Sequence, residues 1–323
     1  MINNALLFKI VDNYSGRSMF LVIGDFVLDE FCYGHAARIS PEAPNLILDL
    51  AEIKRVNGGA YNVVEHLRSL GNDVKFFSLI GEKNIHRSAG NLSFSADDKI
   101  IYDEGRLLTI KSRMVAKYRH TTLLRVDQEE RTDISLDQGD LLVEEVRKTI
   151  SQGVCRGICI VDFCKGVITT GLARSIIKLA LDNNVKTYVD TKSRNIEKFS
   201  GAYLLKPNKN EFSLMKTLYG SGGVADELFC GYLYNSLIIE NVLRTLGEDG
   251  VELYCRGEKV IEIKGHNCEV KELSGAGDSV LAAIAHIHSG GVPLSVAVEK
   301  ANKAASIFVS KGVDYRICKS DLS

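Results

Sequence analysis

Short apolar runs alternate along this chain with stretches of helical periodicity, and few folds accommodate that rhythm. Phe20-Leu21-Val22-Ile23 reads as a buried strand, residues 59–70 as a helix ending at Gly71, and residues 74–80 as the next strand. Further on, 158–161 (strand), 171–182 (helix), 186–189 (strand) and 211–218 (helix) continue the pattern. Strands of this kind separated by helices predict an α/β fold, a doubly wound parallel sheet with helices on both faces. One region breaks the rhythm. Residues 45–50, 109–116 and 121–126 read as strands without intervening helices. Leu46/Leu48/Leu50 and Leu124/Val126 predict an antiparallel patch with one face covered, a small flap beside the main sheet. With four prolines in 323 residues and no low-complexity linker, residues 1–323 are expected to form one domain, with flap strands from about 27–51 and 107–127.

The composition narrows the function classes. A 45% hydrophobic, 25% charged chain with net charge −1 belongs with globular proteins and offers no basic excess for nucleic acid or an anionic membrane. No apolar run is long enough to span a bilayer, and Lys9, Asp12 and Arg17 interrupt the segment where a signal peptide would lie. The eight cysteines are scattered beside apolar residues, as in Gly157-Ile158-Cys159-Ile160-Val161, which points to reduced thiols and a cytoplasmic location rather than a zinc site.

The most informative stretch is Glu272-Leu273-Ser274-Gly275-Ala276-Gly277-Asp278-Ser279, ahead of an apolar, Ala-rich helical run. Gly275 and Gly277 permit a tight turn, and a helix N-terminus offers free N–H groups to an anion. An acid amid such a site repels a phosphate, a cost that makes sense if it takes the proton of the attacking hydroxyl. The competing reading makes Asp278 or Ser279 a helix cap. Near the N-terminus, Gly24-Asp25-Phe26-Val27-Leu28-Asp29 follows the first strand. It places Asp29 at the carboxyl edge of the sheet, where it could accept hydrogen bonds from sugar hydroxyls or simply stabilise a turn. Gly58-Gly59-Ala60-Tyr61-Asn62 opens a helix, and Asn62 offers both donor and acceptor to a substrate.

Taken in order, these motifs resemble those of the ribokinase-like (phosphofructokinase-B) carbohydrate kinases. Gly58-Gly59 with Asn62 and Gly275-Ala276-Gly277-Asp278 are similar to that family's two signatures. Between them, Asn208-Lys209-Asn210-Glu211 resembles its Asn-x-x-Glu motif, and Thr245-Leu246-Gly247-Glu248-Asp249-Gly250 its nucleotide-site turn. Arg38-Ile39-Ser40-Pro41-Glu42-Ala43-Pro44, Lys111-Ser112-Arg113, Leu123-Leu124-Arg125-Val126-Asp127, Asp162-Phe163-Cys164-Lys165-Gly166 and Asp190-Thr191-Lys192 look like segments of the D-glycero-β-D-manno-heptose 7-phosphate kinases. The chain departs from that subfamily where Asp190-Thr191-Lys192 replaces Asp-Pro-Lys, Thr121-Thr122 replaces Gln-Gln, and Glu272 replaces Asp. His86 and its neighbours also lack the glycine usual after Gly81.

The resemblance implies a three-layer ribokinase-like fold with a β-lid and transfer of the ATP γ-phosphoryl group to O1 of the heptose 7-phosphate, a step toward ADP-heptose. It implies Asp278 as base and the amides of Gly275, Ala276 and Gly277 as the anion hole. Substrate contacts would come from Asp29, Arg38, Gly58, Gly59, Asn62, Lys111, Arg113 and Lys165, with solvated surface charge as the alternative for the cations. Asp190, Lys192, Asn208, Glu211, Thr245, Gly247, Gly250 and Asn302 would bind ATP, with magnesium near Asn208 and Glu211 through water. For Asn302, helix packing is the alternative. The fused nucleotidyltransferase motif of many relatives is absent from the sequence, which implies a stand-alone kinase, and exposed lid edges imply a homodimer. Other sugars or nucleosides as substrate, and a catalytically silent sugar-phosphate-binding regulator, remain as rival functions.

Overall fold

β1 (Met19–Gly24) is apolar on both sides because both of its faces are covered. Phe20 and Val22 enter one core and Leu21 and Ile23 the other, and all four are fully buried. The computed structural model describes residues 18–85, 92–118, 121–152, 155–271, 273–312 and 314–323; the readings made for residues 2–17, His86 and Glu272 lie outside them.

The chain continues through β2 (Phe26–Ile39), β3 (Leu46–Gly59), α1 (Ala60–Ser69), β4 (Asp73–Gly81) and β5 (Lys99–Asp103). Next come β6 (Ile110–Ala116), β7 (Thr121–Gln128), α2 (Leu136–Ser151), β8 (Cys155–Asp162), α3 (Thr170–Asp182), β9 (Thr187–Thr191) and β10 (Leu204–Leu205). The last part holds α4 (Lys209–Leu218), α5 (Asp226–Leu237), β11 (Asn241–Thr245), β12 (Val251–Cys255), β13 (Glu258–Ile263), α6 (Ala276–Ser289) and α7 (Leu294–Lys311). Among the described residues the main sheet runs β13-β12-β11-β10-β9-β8-β1-β4-β5. It is parallel from β11 to β5, and β12 and β13 add an antiparallel edge. Side chains of α1, α6 and α7 fill one face, and those of α2 to α5 fill the other. The parallel direction brings the ends of β1, β8, β9, β10 and β11 to one edge, where ligands of such sheets bind.

The second sheet has the order β3-β2-β6-β7. It is not the antiparallel patch that the sequence predicts. Its outer pairs are antiparallel, but β2 and β6 run parallel, with Asp29 opposite Lys111 and Phe31 opposite Arg113. The reason is topological: β2 and β6 both enter this sheet from the main one, whereas β3 and β7 return to it. The expected covered face also differs. Leu46, Leu50, Leu124 and Val126 are each about half exposed, so within this chain their apolar alternation faces solvent.

Asp25, between β1 and β2, joins the two sheets to the loop after β8. Its carboxylate has no solvent exposure and accepts N–H bonds from Phe163 (2.7 Å), Lys165 (3.0 Å) and Val167 (3.0 Å). Burial, reinforced by Asp162, nevertheless raises its pKa to about 6. A folded-state pKa above the ordinary 3.8 means that the protonated form is favoured by folding. That contribution is complete below about pH 4 and is lost as the pH rises through 6. Asp25→Asn turns an NH₂ toward at least one of these N–H groups and should cost about 1–3 kcal/mol at pH 7. Denaturant titrations should show this deficit widening as the pH falls toward 4; an unchanged midpoint at both pH values would refute the role.

Candidate active site

The helix α6 starts without a side-chain cap. Gly275 occupies the N-cap position with φ +89°, and the Asp278 carboxylate instead receives a 3.0 Å hydrogen bond from Asn62 Nδ2 on α1. Ser279 Oγ donates to Ala276 O. The capping alternative for Asp278 and Ser279 is therefore not what forms. Asp278 is 5% exposed, and burial, with the Asp190 charge adding to it, raises its pKa to about 7; Asn62, Lys206 and Lys192 act in the opposite direction.

Asp190, at the end of β9, pairs with Lys206 Nζ at 2.8 Å. Lys206 lies just past β10, is 3% exposed, and escaped the sequence reading. The available signal was a lysine closing the apolar run Tyr203-Leu204-Leu205, at the ligand-binding edge of a parallel sheet. Burial opposes its charge, but Asp190 outweighs that and raises its pKa. Lys192 extends over the Phe163 ring, 4.4 Å from its centroid.

Asn208 and Glu211 form a capping box at the start of α4. Asn208 Oδ1 accepts the Asn210 and Glu211 N–H groups, and Glu211 Oε2 accepts the Asn208 N–H at 2.8 Å. Burial, then Asp190, raises the Glu211 pKa. Thr245 lies beside this start, its N–H donating to Pro207 O. Leu246 N–H closes the following turn on Gly250 O, with Gly247 and Gly250 at φ +68° and +102°. Gly250 is required there, since a Cβ would stand 1.9 Å from Ile263 O. Asn302 Nδ2 donates to Lys264 O, so α7 is packed against the same corner.

On the lid, Arg113 of β6 bonds Asp29 of β2 at 2.5 Å, reaches Ser274 Oγ at 3.3 Å and covers the Phe31 ring. Asp29 thus sits in a strand as an ion-pair partner, not in a turn. On β3, Gly58 pairs with Val27 beside it, where a Cβ would strike Asp29 Oδ2, and Gly59 has φ +62°. Lys165 Nζ lies 2.6 Å from Glu129, which Lys111 approaches at 3.8 Å. Burial works against the Glu129 charge, but hydrogen bonds from Lys165 and Arg131 hold its pKa down at about 2. Burial, with Lys192 and Lys165 nearby, lowers the Lys111 pKa. Arg38 is apart from these groups. It lies nine positions beyond Asp29 on β2, is largely exposed, and pairs with Asp49 at 3.1 Å.

This edge therefore carries one buried carboxylate at a glycine-opened helix start, a largely buried ion pair beside it, a strand–turn corner at Thr245–Gly250 and a cation cluster on and beside the β-lid. Sheet, lid and helix start together define an α/β carbohydrate-kinase architecture. The chain belongs to the pfkB family of carbohydrate kinases, whose model matches residues 19–317, and it is a phosphotransferase with an alcohol group as acceptor. It is 34% identical over 309 residues to the bifunctional protein HldE of Sulfurimonas denitrificans, covering 94% of this chain and 62% of that protein. HldE of Campylobacter jejuni (serotype O:6, strain 81116) is 34% identical over 293 residues, 90% and 61% respectively. The chain thus spans about three fifths of these relatives. Escherichia coli phosphofructokinase-2 with fructose-6-phosphate superposes with a TM-score of 0.71 at 16% identity, over 95% of this chain and 97% of that one. Arabidopsis thaliana ribokinase with ribose and ATP gives 0.68 at 17%, over 95% and 98%.

The two glycines of the α6 turn differ in what they require. Gly275 has positive φ, and a Cβ there would meet Phe308 at 3.3 Å, whereas a Cβ at Gly277 would meet Lys206 Nζ at 3.1 Å and Asp190 Oδ2 at 3.6 Å. Crowding, rather than backbone angle, is thus the constraint at Gly277. Gly275→Ala should cost about 1–2 kcal/mol of stability, and Gly277→Ala less. Denaturant midpoints in the reverse order would contradict this assignment.

Proposed function

We propose that the protein transfers the γ-phosphoryl group of ATP to O1 of D-glycero-β-D-manno-heptose 7-phosphate, giving the 1,7-bisphosphate on the way to ADP-heptose. The observation that carries the chemistry is the buried carboxylate of Asp278, bonded to Asn62 in the first turn of α6. The sugar assignment rests on the resemblance of the lid and loop segments to the heptose 7-phosphate kinases.

In this reading Asp278 accepts the proton of the O1 hydroxyl as that oxygen attacks the γ-phosphorus. The bond from that phosphorus to the bridging oxygen of ADP breaks, and the proton remains on Asp278. Amides of Gly275, Ala276 and Gly277 face the transferred group. The Ala276 N–H already donates to Leu273 O at 3.2 Å and must be shared to do so. Asp190, Lys192, Asn208, Glu211, Thr245, Gly247, Gly250 and Asn302 would surround ATP. Among the described residues no group of three or more His, Cys, Asp or Glu could cage a metal. Magnesium fits nonetheless, because it is commonly held by phosphates and water. Glu211, whose carboxylate shares its surroundings with Asp190, would hold it through water, with Asn208 beside it. The ion would supply charge neutralisation of the phosphates. Asp29, Gly58, Gly59, Asn62 and Arg113 would hold the sugar, and Lys111 and Lys165 its distal phosphate by displacing Glu129. Closure of the lid would exclude water. Arg38 would reach a substrate only if the outer lid folds inward.

A second copy of the chain is proposed to cover the exposed lid face of Leu46, Leu50, Leu124 and Val126. The reaction is placed in the cytoplasm, where ATP is available. None of the described helices is long and apolar enough to cross a membrane.

The test is ADP release against a panel of sugar 7-, 6- and 5-phosphates and free sugars. Turnover should be best with the heptose 7-phosphate. Preference for an unphosphorylated sugar or a nucleoside would overturn the substrate, and absence of turnover with the whole panel would overturn the proposed reaction. Asp278→Asn should lower kcat by about 10²- to 10⁴-fold; near-normal turnover would remove Asp278 as base. Because the base must be ionised, wild-type kcat/KM should rise with pH through about 7 and then level off. In sedimentation, the protein should run as a dimer that Leu50→Glu with Leu124→Glu dissociates. A monomeric wild type would contradict the lid interface.

A further inference from the structure

At the carboxyl edge of the sheet the charges of Asp190 and Lys206 both act on Asp278, and the sequence motifs do not include Lys206. Lys206 Nζ is 2.8 Å from Asp190 Oδ2. Both groups lie against the first turn of α6: a Cβ built on Gly277 would stand 3.1 Å from Lys206 Nζ and 3.6 Å from Asp190 Oδ2. The missing side chain at Gly277 is thus what allows this ion pair to press against the helix start. The whole lysine is 3% exposed, so its charge is little screened by water.

We propose that Lys206 is a positioning residue for phosphoryl transfer: by neutralising Asp190 beneath the Gly277 turn, it lets two carboxylates share one dry site and keeps Asp278 ionisable as the base. The inference rests on the reading of Asp278 as the base of a kinase. Asp190 faces Asp278 from β9, Lys192 from the segment after β9, and Lys206 from the end of β10, while α1 contributes the neutral amide of Asn62. Lys206 is in turn faced by Asp190, Glu211 of α4 and Asp278. Asp190 opposes ionisation of Asp278, and Lys206 favours it both directly and by cancelling Asp190. A merely structural lysine would hold Asp190 in place without altering when Asp278 loses its proton.

The experiment follows the Asp278 carboxyl by ¹³C NMR in ligand-free protein, its signal assigned by its loss in Asp278→Asn. The variants are Lys206→Met, Asp190→Asn and the two combined. Lys206→Met should raise the titration midpoint of Asp278 by about one unit or more. Asp190→Asn should lower it, and the double variant should return it toward the wild-type value. The acid limb of kcat/KM should move with the midpoint. Lys206→Met leaves Asp190 buried without its partner and can fail to fold. In that case the comparison of Asp190→Asn with the double variant decides, because loss of the lysine must still raise the midpoint. A midpoint that Lys206→Met leaves unmoved, or, where that variant does not fold, one unmoved between Asp190→Asn and the double variant, reduces Lys206 to a structural partner and overturns the proposal. The NMR titration needs no substrate. An enzyme that phosphorylates none of the sugars tested would therefore refute the proposed function without deciding the role of Lys206.

Discussion

A carboxylate taken out of water resists ionisation, and the architecture around Asp278 is organised by that resistance. Raising its pKa from 3.8 to about 7 corresponds to about 4 kcal/mol against the charged form. In the proposed role as a base, a carboxylate tuned in this way would be neither permanently protonated nor too weak to take a proton near neutrality. The tuning combines burial of the carboxylate, a hydrogen-bond donor that survives burial, and cations close enough to offset Asp190. Asn62 supplies the donor from the N-terminal half of the chain, 216 residues away in sequence. The bond thus ties the two ends of the fold together at the point where the chemistry is proposed.

The same physics recurs at Asp25 with a different outcome. Its three backbone N–H donors satisfy both oxygens, and these bonds hold the loop carrying Lys165 against the end of β1. Asp25 directs the lid as well, because β2 begins at the next residue. The lid connects to the turn before α6 through Arg113, which spans Asp29 and Ser274. A movement of the lid strands is therefore a movement of groups bonded to the segment that leads into α6.

Much of this was legible in the sequence. The alternation of apolar runs and helices revealed the parallel sheet, and the glycines around Asp278 revealed a helix start with an acid inside it. The lid strands were visible as short runs, but their registry was not. The parallel β2–β6 pair depends on how two distant segments enter the second sheet, and no local pattern encodes that. Asn208 and Glu211 could have been read as a capping box from their spacing alone. Lys206 and Asp25 were harder. A single polar residue at a strand end has no periodicity, and its importance comes only from what the fold packs against it. Arg38 shows the converse: a residue within a matched segment lies far along the lid, paired with Asp49.

The central claim is that a sugar hydroxyl is delivered to Asp278 at the start of α6. The most direct measurement is a crystal structure with a non-hydrolysable ATP analogue, magnesium and the sugar phosphate. The account predicts the acceptor oxygen within about 2.6–3.2 Å of an Asp278 oxygen, in line with the γ-phosphorus. The distal sugar phosphate should lie against Lys111 and Lys165. A sugar bound with no hydroxyl near Asp278, or a γ-phosphate lodged away from the Gly275–Gly277 turn, would contradict it.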